Sequence, residues 1–491
     1  MSREAGSGMG LLEECRRVFG VRKPLERAEG SSGGDRGLKR ALGLWDLVLI
    51  GIGANIGAGI FVLSGVVAKD YAGPAVSISF LVAGLISILV ALCYAELASM
   101  IPSAGASYSY AYVSLGELAA WLVGWVLLMN YSLTCTAVAV GWSGYVDHLA
   151  ASAGIAIPRA LSSAPGTSPG AIFNLPAFII TLSLTALLLF GIKESAWVNR
   201  VMVVVKAAVL VIFVVVGATI VDPANLSPFA PSGFGGIMSG AAVVFFAYMG
   251  FDAHATVSEE AVEPKRNMPR AIVAALLVCT AFYMCVAVVL SGLVPVREID
   301  AAAPLAGAFL TRGLPWASSI VAVGAWFAIT NVLFVSLLAQ PRILLAISRD
   351  GLAPRGLADV HPRRRIPLKA TVIMGLVVAI LAGFTPITQA AELGNIGALF
   401  VFALVCWMVV RMRKARPDIE RTFRVPAVPV LPLSGSAACV VLMLYLKYST
   451  WLLFILWLGI GFIIYANYGI KRGMSAKGAN NEHMNTDNDR K

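Results

Sequence analysis

The apolar residues of this chain arrive in blocks of about 20, separated by short polar pieces. A helix of that length crosses the roughly 30 Å of hydrocarbon in a bilayer. Twelve such blocks are legible, at about 45–68, 74–100, 116–147, 171–192, 196–221, 236–257, 271–294, 316–347, 368–386, 390–410, 431–447 and 451–470. The last two lie close together, so eleven or thirteen spans also fit. Composition agrees: 58% of the 491 residues are hydrophobic and 13% charged, against about 25% charged in a soluble protein. The expectation is an all-α polytopic membrane protein of about twelve transmembrane helices, with the lipid bilayer as its main solvent. The longest polar loops are about 25 residues, too short for an independent soluble core.

The net charge of +11 does not point to nucleic acid, because the excess sits in alternate loops. Basic residues crowd the piece before span 1 (Arg16, Arg17, Arg22, Lys23, Arg36, Lys39, Arg40) and the loops after spans 6, 8 and 10, the last holding Arg411, Arg413, Lys414, Arg416, Arg421 and Arg424. The intervening loops are poor in Lys and Arg. By the positive-inside rule both termini are cytoplasmic, in an integral protein of the plasma membrane. Residues 1–44 read as a cytoplasmic tail with no early apolar h-region, and 471–491 as a second tail. Trp45, Trp121, Trp316 and Trp451 stand at span ends, where tryptophan anchors helices in the interface. Six of the seven cysteines lie in or beside apolar spans with no CxxC spacing. They read as packing residues, not as disulfides or metal ligands.

Two spans carry sequence that a plain helix disfavours. Span 1 contains Gly51-Ile-Gly-Ala-Asn-Ile-Gly-Ala-Gly-Ile-Phe61, four glycines in nine residues at mid-membrane depth. Each glycine costs about 1 kcal/mol in a helix interior. Close helix packing through small residues is one explanation. The other is an unwound segment, tolerated at that depth only where it is buried in protein or lines a cavity. Such a break frees N–H groups at the positive end of the following half-helix, a site for a carboxylate. It also frees carbonyls on the half-helix before it, a site for an ammonium. Span 6 has a matching stretch, Phe245-Phe-Ala-Tyr-Met-Gly-Phe-Asp252, with Tyr248 and Gly250 at its centre. Spans 1 and 6 correspond if the chain is two five-span halves, 45–221 and 236–410, followed by two additional spans, 431–470. Paired interrupted segments of this kind mark a transport site between inverted repeats.

Span 5 carries Lys206, about 11 residues from Ser195 and therefore roughly 16 Å deep. A lysine there costs at least about 2.5–3.5 kcal/mol on insertion scales. It is too far from either surface to snorkel. A lysine in low dielectric surrenders its proton more readily than one in water, so Lys206 is the candidate for proton coupling. Asp252 and His254 are weaker candidates for a relay. Glu96 and Glu117 stand at span ends and read as gate or loop contacts.

Several stretches carry a resemblance: Gly53–Phe61, Cys93–Tyr110, Gly116–Trp121, Gly141–Tyr145, Gly191–Ser195, Gln340–Ile343, Ser348–Leu352 and Glu392–Phe400. Each alone is weak; their joint order is specific. Over residues 38–470 the chain resembles permeases of the amino acid–polyamine–organocation superfamily, in the cationic amino-acid transporter branch. The resemblance implies a five-plus-five inverted-repeat core with discontinuous helices 1 and 6, and alternating access to a midplane site. It implies that Gly57, Ala58 and Gly59 offer N–H groups to a substrate carboxylate. Carbonyls near Gly53, Ala54, Phe246 and Ala247 would receive its amine. Lys206 aligns with the span-5 lysine that replaces sodium in proton-coupled members.

Three departures bear on specificity. Asn55, beside Ile56 in the broken turn, stands where the family usually has an aliphatic residue. Ala58 replaces a common Ser or Thr. Asn130 stands where cationic members often carry Glu, and a neutral amide cannot balance a cationic side chain. Ser336 in span 8 is small and leaves room for a long side chain. The expectation is a proton-coupled symporter of L-amino acids, with a neutral preference. An exchanger and a cationic amino-acid or polyamine carrier are alternatives within the class, and a nontransporting amino-acid sensor is one outside it. An enzyme is not expected: there is no metal cluster, nucleophile–base pair or phosphate-binding loop, and no βαβ pattern surrounds the glycines of span 1. No cofactor is called for.

Overall fold

The computed structural model describes residues 42–101, 105–190, 196–251, 262–361, 366–419, 421 and 423–469. The two terminal tails, the Gly191–Ser195 stretch, Asp252, His254 and Arg363–Arg365 lie outside the described residues. Every regular element described is helical.

The described residues form twelve apolar spans, some of them shorter than a full crossing. Span 1 is α1 (Leu44–Asn55), a break, a π-turn (Gly59–Leu63), α2 (Ser64–Val67) and a second π-turn (Ala68–Ala72). Span 2 is α3 (Val76–Met100), followed by the short α4 (Ala106–Ser114). Spans 3, 4 and 5 are α5 (Glu117–Ser152), α6 (Leu175–Leu189) and α7 (Ala196–Ala218). Span 6 is α8 (Gly233–Val244) with a 3₁₀ turn, Phe245–Tyr248, at its end. Span 7 is α9 (Pro264–Leu293), followed by the short α10 (Pro304–Thr311). Spans 8 to 12 are α11 (Pro315–Arg349), α12 (Leu368–Phe384), α13 (Ile387–Ala415), α14 (Val430–Leu444) and α15 (Tyr448–Ile464).

Sequence periodicity did not show α4 and α10, which are too short to carry a span-length signal. Span 1 also runs four residues further than expected, to a turn at Gly73 (φ 63°), so Lys69 and Asp70 belong to its last turn.

Helix α7 shows how the sequence sorts its faces. Val203, Lys206, Val209, Leu210 and Phe213 are buried, while Val201, Val204, Val205, Val211 and Val215 are exposed. The buried set recurs at helical spacing. The exposed set is valine, as a surface in hydrocarbon requires and one in water would not tolerate. Helix α15 is likewise exposed along Leu452, Ile455, Leu456, Phe462 and Ile463.

Among the tryptophans the interfacial reading divides. Trp45 and Trp316 are exposed at helix starts. Trp121 is not an anchor: it is buried, stacks on Trp125 and donates from Nε1 to the Gly461 carbonyl at 2.8 Å. Trp125 stacks in turn on Trp457 with ring centroids 4.4 Å apart. This aromatic clasp binds span 12 to span 3.

The six described cysteines are free thiols, and five of them are buried.

Candidate functional site

Both interrupted spans break where their glycines stand. Helix α1 stops at Asn55, and Ile56 is extended (φ −75°, ψ 105°). The chain re-enters a helix when Ile60 and Phe61 both donate to the Gly57 carbonyl at 3.2 Å. Gly57, Ala58 and Gly59 therefore supply the first amides of the second half-helix, the turn whose donors have no intrahelical partner. In span 6 the helix tightens to a 3₁₀ turn, Met249 is extended and Gly250 takes φ 137°. An L side chain rarely adopts that angle.

The two breaks touch. A Cβ on Gly59 would fall 2.4 Å from the Ala247 Cα, and one on Gly250 would fall 2.9 Å from the Ala54 carbonyl oxygen. Close backbone approach, the bland reading of the glycines, is thus real, and it serves the break.

Three side chains hold the broken ends. Lys206 Nζ donates to the Gly53 carbonyl at 2.9 Å and is 1% exposed. Its head points into the bundle at span 1, which removes the snorkelling alternative. The Tyr283 hydroxyl on α9 lies 2.9 Å from the Asn55 carbonyl and 3.0 Å from the Ala247 carbonyl, bridging one break to the other. Asn395 Nδ2 on α13 donates to the Ala242 and Val243 carbonyls at 2.8 Å each, capping α8 just before its break. Neither Tyr283 nor Asn395 was legible as a site residue. Both sit in apolar spans where a tyrosine or an asparagine reads as packing, and only the facing carbonyls reveal them.

Tyr283→Phe removes one oxygen and the single hydroxyl proton that the two buried carbonyls share. A loss of this kind costs about 1–3 kcal/mol. Initial uptake rates normalised to protein level should fall about tenfold; an unchanged rate would show that the bridge is dispensable.

The remaining candidates divide. Gly57 faces span 8, where its Cβ would meet the Val332 side chain, and Ala58 faces Gly141 on α5. Ser336 lies one helical turn from Val332 and is half-buried. Trp142, next to Gly141, donates to Thr330 Oγ1 at 2.8 Å, joining spans 3 and 8 beside the break. Phe246 and Ala247 line the span-6 break, and both are buried.

Two of the expected substrate contacts have other partners in the structure. The Tyr248 hydroxyl donates to the Phe80 carbonyl on α3 at 2.8 Å, so its side chain faces span 2. Asn130 donates from Nδ2 to the Gly394 carbonyl at 2.8 Å. It thus ties span 3 to span 10, one residue before the Asn395 that caps α8. The carbonyls named for an amine are partly engaged: Gly53 receives Lys206, Ala247 receives Tyr283, and Phe246 receives the Met249 amide at 3.2 Å. A carbonyl oxygen has two lone pairs, so each retains one acceptor position.

Asn55 is 3% exposed, and among the described residues neither Oδ1 nor Nδ2 has a hydrogen-bond partner of normal geometry. The polar amide of Asn55 stands at the last residue of α1.

The end of the bundle away from the basic loops is closed over span 1. Lys69 Nζ donates to the Ile299 carbonyl at 3.1 Å, and the Tyr145 hydroxyl donates to the Phe61 carbonyl at 2.7 Å. Glycines 65 and 144 leave room for Pro304 and for the Ala302 carbonyl, at and just before α10. At the basic end Glu96, fully buried, receives Arg413 through two bonds of 2.9 and 2.6 Å and the Val425 amide at 2.6 Å. Glu117 accepts from Tyr112 and Tyr465. Both carboxylates, read from the sequence as gate or loop contacts, are thus engaged at helix ends. Among the described residues no group of three or more His, Cys, Asp or Glu side chains is placed to hold a metal ion.

Comparison with known proteins agrees with this geometry. A family model described as amino acid permease matches residues 42–474. The chain is 44% identical to the methylthioribose transporter of Bacillus subtilis (strain 168), over 93% of this chain and 99% of that protein. It is 43% identical to the branched-chain amino acid permease BcaP of the same organism, over 92% and 97%. It is 40% identical to the vacuolar cationic amino acid transporter 4 of Arabidopsis thaliana, over 78% of this chain and 65% of that one. With its broken spans in contact at the centre of an all-helical membrane fold, the chain belongs to the amino acid permease family, a transporter and not an enzyme.

Proposed function

We propose that this protein carries neutral L-amino acids together with protons across the plasma membrane by alternating access. The observation that carries the reading is the bond from Lys206 Nζ to the Gly53 carbonyl, at the last turn before the span-1 break. A charged ammonium holds a carbonyl more tightly than a neutral amine does. Loading and releasing a proton at Nζ therefore changes how firmly α1 is held beside the substrate's amine position. The amides of Gly57, Ala58 and Gly59 take the carboxylate, and the carbonyls at the two breaks take the ammonium. Two five-span halves, 45–221 and 236–410, rock about this site. The basic end faces the cytoplasm, with both termini.

The neutral preference is supported by where the acids lie. Among the described residues the buried carboxylates are Glu96, Glu117 and Glu392, all near helix ends and all engaged. None stands at the level of the breaks to balance a cationic side chain. The name of the branched-chain permease relative agrees with this. The name of the plant relative favours a cationic substrate as the second reading.

The test is uptake of a panel of labelled L-amino acids into proteoliposomes, under an inward proton gradient or an inward sodium gradient. Concentrative uptake of neutral members driven by protons alone is expected. Uptake that needs sodium, or only internal amino acid, would make Lys206 a fixed structural charge. Arginine and lysine as the best substrates would overturn the neutral preference. Specific binding with no movement under any gradient would identify a sensor.

A further inference from the structure

The end of the bundle away from the basic loops holds a polar cluster that the transport site does not use. Glu392 stands near the start of α13 and is 3% exposed. Its Oε1 receives the Tyr71 hydroxyl at 2.6 Å and lies 3.0 Å from Lys447 Nζ. Its Oε2 receives Thr450 Oγ1 at 2.9 Å. Lys447 Nζ also sits 5.4 Å from the centre of the Tyr71 ring, within cation–π range. Four groups from separate parts of the chain thus converge: the end of span 1, span 10, the turn between spans 11 and 12, and span 12.

The bonds are unequal in what they join. Helix α13 packs against both α14 and α15, so Glu392, Lys447 and Thr450 belong to one body. Tyr71 belongs to the broken span. A buried carboxylate is tolerated only with its partners in place, and Thr450 and Lys447 satisfy Glu392 whether or not Tyr71 is present. Tyr71 is therefore the member that can let go at little cost.

We propose that Glu392, Lys447 and Thr450 form a clasp through which the accessory spans 11 and 12 hold the outer end of broken span 1 shut, with Tyr71 as the released member. This gives the additional helices a role in the transport cycle. It rests on the transporter reading, since a clasp matters only if span 1 moves.

The test uses a single reporter, Val62→Cys, in the full chain expressed in cells. Val62 is buried one turn outward of Gly59 and packs on Gly141, so it meets outside solvent only when span 1 swings away from span 3. Its labelling by a membrane-impermeant maleimide, less that of the parent without the reporter, is measured in Tyr71→Phe, Lys447→Met and Lys447→Arg backgrounds. Tyr71→Phe removes one oxygen and leaves Glu392 its other partners, whereas Lys447→Met takes the cation from a buried carboxylate, so labelling is normalised to the amount of each variant at the cell surface. The clasp requires labelling about two- to tenfold faster in Tyr71→Phe and Lys447→Met, the factor expected for one lost hydrogen bond. Lys447→Arg should stay at the level of the reporter alone. Labelling at that level in all three would overturn the clasp, as would an equal rise in Lys447→Arg. Substrate uptake by the same cells, carrying the reporter alone, separates the two ideas. Uptake with unchanged labelling sinks the clasp, and absence of uptake for every substrate sinks the transport reading.

Discussion

Replacing Lys206 with methionine is expected to abolish proton-driven accumulation while leaving the fold intact. The lysine is an expensive residue to place at this depth, by about 2.5–3.5 kcal/mol on insertion scales. Methionine removes that cost and fills a similar volume. Against this, the Gly53 carbonyl loses its donor, at about 1–3 kcal/mol. The two terms nearly cancel, so the apparent Tm of the purified protein should move little. Uptake under an inward proton gradient should fall at least about tenfold, because the amine that bonds span 1 at its break no longer takes up and releases a proton. Residual uptake should be indifferent to external pH. Stability and function thus separate, which marks a coupling residue and not a packing one. Full proton-driven accumulation in Lys206→Met would end the coupling proposal.

Gly59→Ala should be close to null for transport, and for a different reason. The added methyl group would lie 2.4 Å from the Ala247 Cα, 2.5 Å from its Cβ and 3.0 Å from its amide nitrogen. Backbone cannot rotate away, so the two broken segments must separate. Overpacking of this kind costs about 1–3 kcal/mol, and here it falls where both ends of the substrate are held. Gly57→Ala is the matched control. Its methyl group would meet the Val332 side chain, Cγ2 at 2.8 Å and Cβ at 3.2 Å, atoms of one side chain where Gly59 meets backbone. The expected order of uptake is wild type, then Gly57→Ala, with Gly59→Ala near background and several degrees lower in Tm. Equal uptake by both variants would mean that the breaks do not depend on this contact.

The breaks themselves were legible because glycine has a local meaning. Four glycines in nine apolar residues conflict with a helix whatever surrounds them, and so does Gly250 among aromatics. Lys206 was legible for the same kind of reason: its cost depends on depth, and depth follows from counting residues. Trp121, Tyr248 and Asn130 show where such counting stops. Depth along a span does not tell which neighbour a side chain faces. Trp121 stands near a span end like an interfacial anchor, yet it is turned inward onto Trp125. Tyr248 sits in the span-6 break, yet its hydroxyl reaches span 2. Asn130 occupies a position that resemblance connects with the substrate side chain, yet its amide is committed to Gly394.

Depth, the approximate number of spans and the presence of two interrupted helices follow from properties summed along one strand of chain: hydropathy over about 20 residues, glycine cost and charge placement. These needed no tertiary information. The contacts between spans are another matter. Tyr283 bridging the Asn55 and Ala247 carbonyls, Asn395 capping α8, and Glu392 gathering Tyr71, Lys447 and Thr450 join residues 36 to 321 positions apart. In a membrane every helix is apolar on most faces, so the pattern that orients a soluble helix toward its core is weak here. Which face meets which partner is set by small differences in shape and by a few hydrogen bonds, and those exist only once the helices have packed.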